Sequence, residues 1–86
     1  MTVGLGPNYM AIDQATDAVY VVNGGDYSVS VINGTSCNAS DTIGCNSPFP
    51  TVQVGGGADG IDVSSTTHSV YVANFNDNNV SVFGSR

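Results

Sequence analysis

The 86-residue sequence predicts an all-β protein in which one strand-rich unit is used twice. Three observations carry that expectation. The run Val19-Tyr20-Val21-Val22-Asn23, then Asp26, then Val29-Ser30-Val31 returns as Val70-Tyr71-Val72-Ala73-Asn74, Asp77 and Val80-Ser81-Val82, an offset of 51 residues from Tyr20 to Tyr71. Gly, Asn, Ser, Thr and Val dominate the composition, while Glu and Lys, two good helix formers, are absent. No stretch shows the 3.6-residue apolar period of an amphipathic helix.

The repeat reaches further than its signature. Val3, Gly4 and Gly6 match Val54, Gly55 and Gly57, and Thr16 matches Thr67. Between Val3–Ile32 and Val54–Phe83 there are twelve identities in thirty positions, against about two by chance at ordinary residue frequencies. Repeats of this period belong to arrays whose units bury their apolar faces on one another. The whole chain, residues 1–86, is expected to be one unit. Its first repeat runs over about 2–50, including a loop at 33–50, and its second over about 51–86.

Taken in order, Thr2–Gly4 reads as a short strand closed by Gly6-Pro7-Asn8. Tyr9–Asp13 is the next strand, and Asp13–Asp17 a polar turn. Ala18–Val22 is apolar on both faces, as in a strand covered on both sides. Asn23-Gly24-Gly25-Asp26 is expected to supply a hairpin turn through residues that accept positive φ. Tyr27–Ile32 alternates Val29 and Val31 with Ser28 and Ser30. After the polar insertion 33–50 the cycle restarts with Thr51–Val54, Gly60–Val63, Ser69–Ala73 and Asn79–Phe83.

Four short antiparallel strands per repeat is the plan of a β-propeller blade. The expected architecture is therefore two four-stranded blades per chain. The chain opens on a strand of the fourth type and closes on one of the third type. One copy's Thr2–Gly4 is thus expected to complete the last blade of the next, giving a ring by head-to-tail association. Such a ring holds six blades as a trimer or eight as a tetramer, with the tetramer slightly favoured because it compresses the core less.

Composition narrows the partners. The net charge is −6 and the single strong base is Arg86, so the chain has no means of neutralising phosphates, and neither nucleic acid nor an anionic membrane is an expected partner. The apolar runs are too short for a membrane span. No signal peptide is visible, so Met1 is expected to mark an excised or recombinant start.

The segment 70–83, Val-Tyr-Val-Ala-Asn followed after one residue by Asn-Asp-Asn-Asn-Val-Ser-Val-Phe, resembles the repeat of the YVTN family of bacterial β-propellers. Val19–Ile32 is similar, and so is the loop from Gly34 through Gly44-Cys45 with its paired cysteines. Asp13 matches an Asp of the family pattern where Gln14 replaces the usual Pro, and Ser64-Ser65 replaces both. His68 matches a family His, and Asp17 stands in its place in the first repeat. The resemblance implies a propeller of about seven blades, of which two blades are a piece. It also implies a secreted or surface-layer-like parent, extracellular or periplasmic, with a structural or adhesive role.

The remaining chemistry is sparse. Cys37 and Cys45 sit in a Gly/Asn/Ser/Thr loop, where a disulfide, free thiols or a metal pair are open, the disulfide being the first reading. His68, the one imidazole, falls in a turn and is expected to cap or pack there. Asp26 and Asp77 recur beside Asn23 and Asn74 at equivalent turns. A repeated structural duty is expected, the carboxylate accepting turn N–H bonds, with calcium as the sharper alternative. Gly55-Gly56-Gly57 lacks the Lys-Ser/Thr of a phosphate loop and reads as close strand approach near a ring axis. Asn33, Asn38 and Asn79 head formal glycosylation motifs. No catalytic residue, cofactor or metal is expected. The first functional expectation is a non-catalytic structural or binding module. Its rivals are a piece of a lyase-like propeller enzyme and a calcium-dependent adhesion module.

Overall fold

In a computed structural model the described residues are 1–46 and 48–85. They form seven strands and no helix: β1 (Pro7–Asp13), β2 (Ala18–Asn23), β3 (Ser28–Asn33), β4 (Thr51–Gln53), β5 (Ala58–Ser64), β6 (Ser69–Asn74) and β7 (Asn79–Gly84). All pairings are antiparallel, in a four-stranded sheet β1-β2-β3-β4 and a three-stranded sheet β5-β6-β7. Two four-stranded sheets were expected. Thr2–Gly4 forms no strand: among the described residues no strand pairs with it.

The repeat is faithful at the level of irregularities. β1 shifts register between Pro7 and Tyr9, and β5 does so between the equivalent Ala58 and Gly60. Just upstream, Gly6 and Gly57 hold φ of 63° and 69°, a region that a side chain resists. Both hairpins in each sheet turn through four residues, the last with positive φ: Asp17 (58°) and Tyr27 (57°) in the first, His68 (56°) and Asn78 (56°) in the second. The expected Asn23–Asp26 turn exists, but the left-handed residue is Tyr27, since a four-residue loop closes its type I turn with a left-handed residue at the end.

The two sheets stack. Ala18, Tyr20, Val22, Val29 and Val31 of the first pack with Val54, Ala58, Val70 and Val72, and Val52, Ile61, Val63 and Phe83 flank them. The Tyr20 and Phe83 rings meet edge to face at 5.9 Å and 62°, the geometry that the ring quadrupoles favour. Register puts Tyr20 opposite Val31, and Val22 opposite Val29, on one face of the first sheet. Val70 opposite Phe83, and Val72 opposite Ser81, form the answering face of the second.

β3 departs from simple alternation. Val29 and Val31 are buried, but so are Ser28 and Ser30 on the other face. Asn23 satisfies both hydroxyls. Its Nδ2 donates to Ser28 Oγ at 3.2 Å and to Ser30 Oγ at 2.9 Å, and these bonds offset the cost of burying the hydroxyls.

Cys37 and Cys45 form a disulfide, with Cα atoms 4.8 Å apart. This decides among the three readings left open for the pair. The longer insertion that contains the bridge is fastened near its ends, where Gly34 N–H donates to Asp17 C=O and Val31 N–H to Pro50 C=O, each at 2.8 Å. A disulfide is at home in an oxidising compartment.

Candidate functional site

Three groups of side chains stand out: two hold the turns and the ends of the sheets, and one is exposed. The first is the Asn–Asp pair of each repeat. Asn74 Nδ2 donates to Asn79 Oδ1 and Ser81 Oγ, at 2.9 and 2.8 Å, while its Oδ1 accepts the Gly55 N–H at 3.1 Å. Asp77 Oδ2 accepts the Gly56 N–H at 2.8 Å, and Asp26 Oδ2 accepts the Leu5 N–H at 2.8 Å. The carboxylates were expected to bind donors of their own turns. Instead they clamp the segment that leads into β1 or β5. Backbone bonds reinforce the clamp: Gly24 N–H to Gly6 C=O and Gly25 N–H to Leu5 C=O, matched by Phe75 to Gly57 and Asn76 to Gly56.

This clamp explains the glycines. A Cβ on Gly55 would lie 2.8 Å from both Asn74 Cγ and Asp77 Oδ2, and one on Gly4 would lie 2.5 Å from Asp26 Oδ2. The close approach read from Gly55-Gly56-Gly57 is real, but it is to the side chains of Asn74 and Asp77.

The second group joins the two sheets. Ser85 Oγ donates to Asp13 Oδ2 and lies 3.0 Å from Tyr20 Oη. Asp13 also accepts the Ala15 N–H at 2.9 Å. The Ser85 hydroxyl holds the buried Asp13 carboxyl below the usual carboxylate range, and the Ala15 N–H adds to this while burial opposes it. The contact ties the residue after β7 to the end of β1. His68 takes part through its backbone, its C=O accepting the Ser85 N–H at 2.7 Å. His68 was expected to cap or pack in its turn; the residue is exposed there at φ 56° and does not pack.

The third group is the exposed apolar surface. Tyr20, Val29 and Val31 are 1%, 0% and 8% exposed, yet their equivalents Tyr71, Val80 and Val82 are 42%, 58% and 60% exposed. At the opposite side of the molecule, Met10 and Ile12 stand exposed, whereas their equivalents Ile61 and Val63 are partly buried against the core.

Among the described residues no three His, Cys, Asp or Glu side chains lie together in a metal-binding group. A groove of about 370 Å³ runs between Thr2–Gly4 and Phe49, with Ser30 and Thr51 at its floor, and none of its lining residues is ionisable. Asn33 and Asn38 lie in the exposed loop, where Asn33 Oδ1 accepts from the Thr35 N–H and hydroxyl. The signature residues Val19 and Val21 are half-buried on the outer face of β2. Arg86, the one strong base, lies outside the described residues.

Sequence reasoning placed Asn23, Asn74, Asp26 and Asp77 at equivalent turns but missed the roles of Ser30, Ser81 and Ser85. The first two had a signal: Asn and Ser recur seven residues apart in both repeats. Asp13 was marked only by the family resemblance, and nothing in the sequence joined it to Ser85, since the two meet only through the stacking of the sheets. Comparison of the chain with family models, curated proteins and solved structures returns no match.

Proposed function

We propose that this chain is a non-catalytic structural module, a pair of β-propeller blades akin to YVTN repeats, whose copies stack head to tail into a ring. The observation that carries this reading is the contrast between equivalent faces. The face bearing Tyr20, Val29 and Val31 is covered by the second blade, and the same face one repeat on, bearing Tyr71, Val80 and Val82, is bare. Its natural complement is the surface equivalent to the one that covers the first blade, which is the Met10–Ile12 side of another copy. An apolar sheet face of this kind, rimmed by Asn and Asp, is the mark of an interaction surface. Two different faces meeting make a heterologous contact, which closes when the rotation per copy permits. Three copies give six blades and four give eight. The disulfide fits a parent protein exposed to an oxidising compartment.

Analytical ultracentrifugation tests the reading. A trimer or tetramer in the micromolar range is the expected result. A monomer at high concentration, or a dimer that grows no further, overturns it.

A further inference from the structure

We infer that Met1–Val3 of one copy adds as a fourth strand to the free edge of β7 in the next, and that this pairing brings the Gly4 N–H to the side-chain carbonyl of Asn23. The inference rests on the head-to-tail reading and gives it a register. Among the described residues Asn23 Oδ1 is buried and accepts no hydrogen bond. A buried acceptor left unpaired is costly and calls for an explanation. Its equivalent, Asn74 Oδ1, accepts the Gly55 N–H.

The two environments are otherwise nearly the same. Leu5 N–H reaches Asp26 as Gly56 N–H reaches Asp77. Gly4 packs on Asn23 as Gly55 packs on Asn74, a Cβ on either meeting the Asn Cγ at 2.9 or 2.8 Å. The difference lies one residue upstream. Val54 N–H is tied to Tyr27 C=O at 2.8 Å and β4 is paired on β3, so the peptide entering Gly55 is held in place. Val3 has no such tie, because in the described residues nothing pairs with the outer edge of β7.

The β3–β4 ladder supplies the register. Ser28 faces Gln53 and Val29 faces Val52. One repeat on, Asn79 faces Thr2 and Val80 faces Met1, with the Val3 N–H bonded to the Asn78 C=O. The side chains agree with that alignment: Met1 stands beside Val80 as Val52 stands beside Val29. An unpaired edge such as β7 is a ready template for a strand from another chain.

Cross-linking tests the register. Tyr27–Val54 and Val31–Pro50 carry the ladder bonds, so Ser28–Gln53 is a non-hydrogen-bonded pair. The corresponding pair Asn79–Thr2 then has Cα atoms about 4.5 Å apart, within disulfide range. Thr2→Cys and Asn79→Cys proteins, mixed without denaturant and oxidised, are expected to give the mixed covalent dimer. Thr2→Cys with Val82→Cys, three residues out of register, is expected to give little. Hydrogen exchange on the unmodified protein adds a readout free of substitutions: on assembly the Gly4 amide becomes as protected as that of Gly55. If the protein assembles but the cross-link is absent or unselective, or Gly4 stays unprotected, strand addition is overturned and face stacking survives. If the unmodified protein sediments as a monomer at all concentrations, both fall.

Discussion

Val31 and Val82 occupy the same repeat position, and they offer an internal control for the stacking of copies. Val31 is 8% exposed and Val82 is 60% exposed. Truncation to Ala removes two carbon groups from each. At Val31 the loss is about 1.6 kcal/mol at roughly 0.8 kcal/mol per buried group. The hole left between the sheets raises this to about 2 kcal/mol. In a free chain Val82→Ala removes mostly hydrated surface, and its cost is about 0.5 kcal/mol. Once another copy covers Val82, its surroundings become those of Val31, and roughly 1–1.5 kcal/mol is added per contact, about a tenfold weaker association. The assay is urea unfolding of both variants and the parent at about 1 μM and about 200 μM, since association couples apparent stability to concentration. With a slope near 1 kcal/mol/M, Val31→Ala is expected to lower the midpoint by about 2 M at both concentrations. Val82→Ala is expected to lower it little when dilute and by about 1 M more when concentrated. A Val82→Ala deficit that ignores concentration refutes the reasoning about faces. A Val31→Ala deficit below about 0.5 kcal/mol refutes the stacking of the two sheets.

Three further outcomes follow from individual contacts. Tyr27 is half-exposed at φ 57°, while Asn78 holds the equivalent place at 56°; Tyr27→Asn is expected to stabilise by up to about 1 kcal/mol, read by thermal or urea unfolding, because Asn tolerates the left-handed region. The Asp13 carboxyl is held below its usual range chiefly by Ser85. Its contribution is therefore fully present above the ordinary carboxylate value and lost as pH falls through the lowered one, and Ser85→Ala is expected to move the acid-unfolding midpoint upward, measured by circular dichroism against pH. Opening the Cys37–Cys45 bridge, eight residues apart, with Cys37→Ser/Cys45→Ser is expected to cost at most about 2–3 kcal/mol on chain-entropy arithmetic, compared by urea midpoints.

The strands were legible in the sequence because their causes are local. Period-two apolar runs and turn residues decide β2, β3, β6 and β7 within a residue or so at each end. The constant offset between repeats is matched in the structure by irregularities at equivalent places, Pro7/Tyr9 and Ala58/Gly60. Local chemistry was a weaker guide inside the turns. Gly24 and Gly25 drew the positive φ to themselves on propensity, but turn length places it on Tyr27, and loop geometry outranks a single residue's preference.

What the sequence alone determined is the all-β character, the doubling of one unit and the residues that pin its turns, since each follows from spacing along the chain. Only the tertiary structure decided which of two identical faces is covered. Val31 and Val82 have the same local sequence around them, Val-Ser-Val, and no propensity separates them. Their difference comes from what lies across the sheet: the second sheet over one, solvent over the other. The same holds for Asn23 and Asn74, equal in sequence and unequal in hydrogen bonding, because the peptide that serves Asn74 is held by a paired strand and the one beside Asn23 is not.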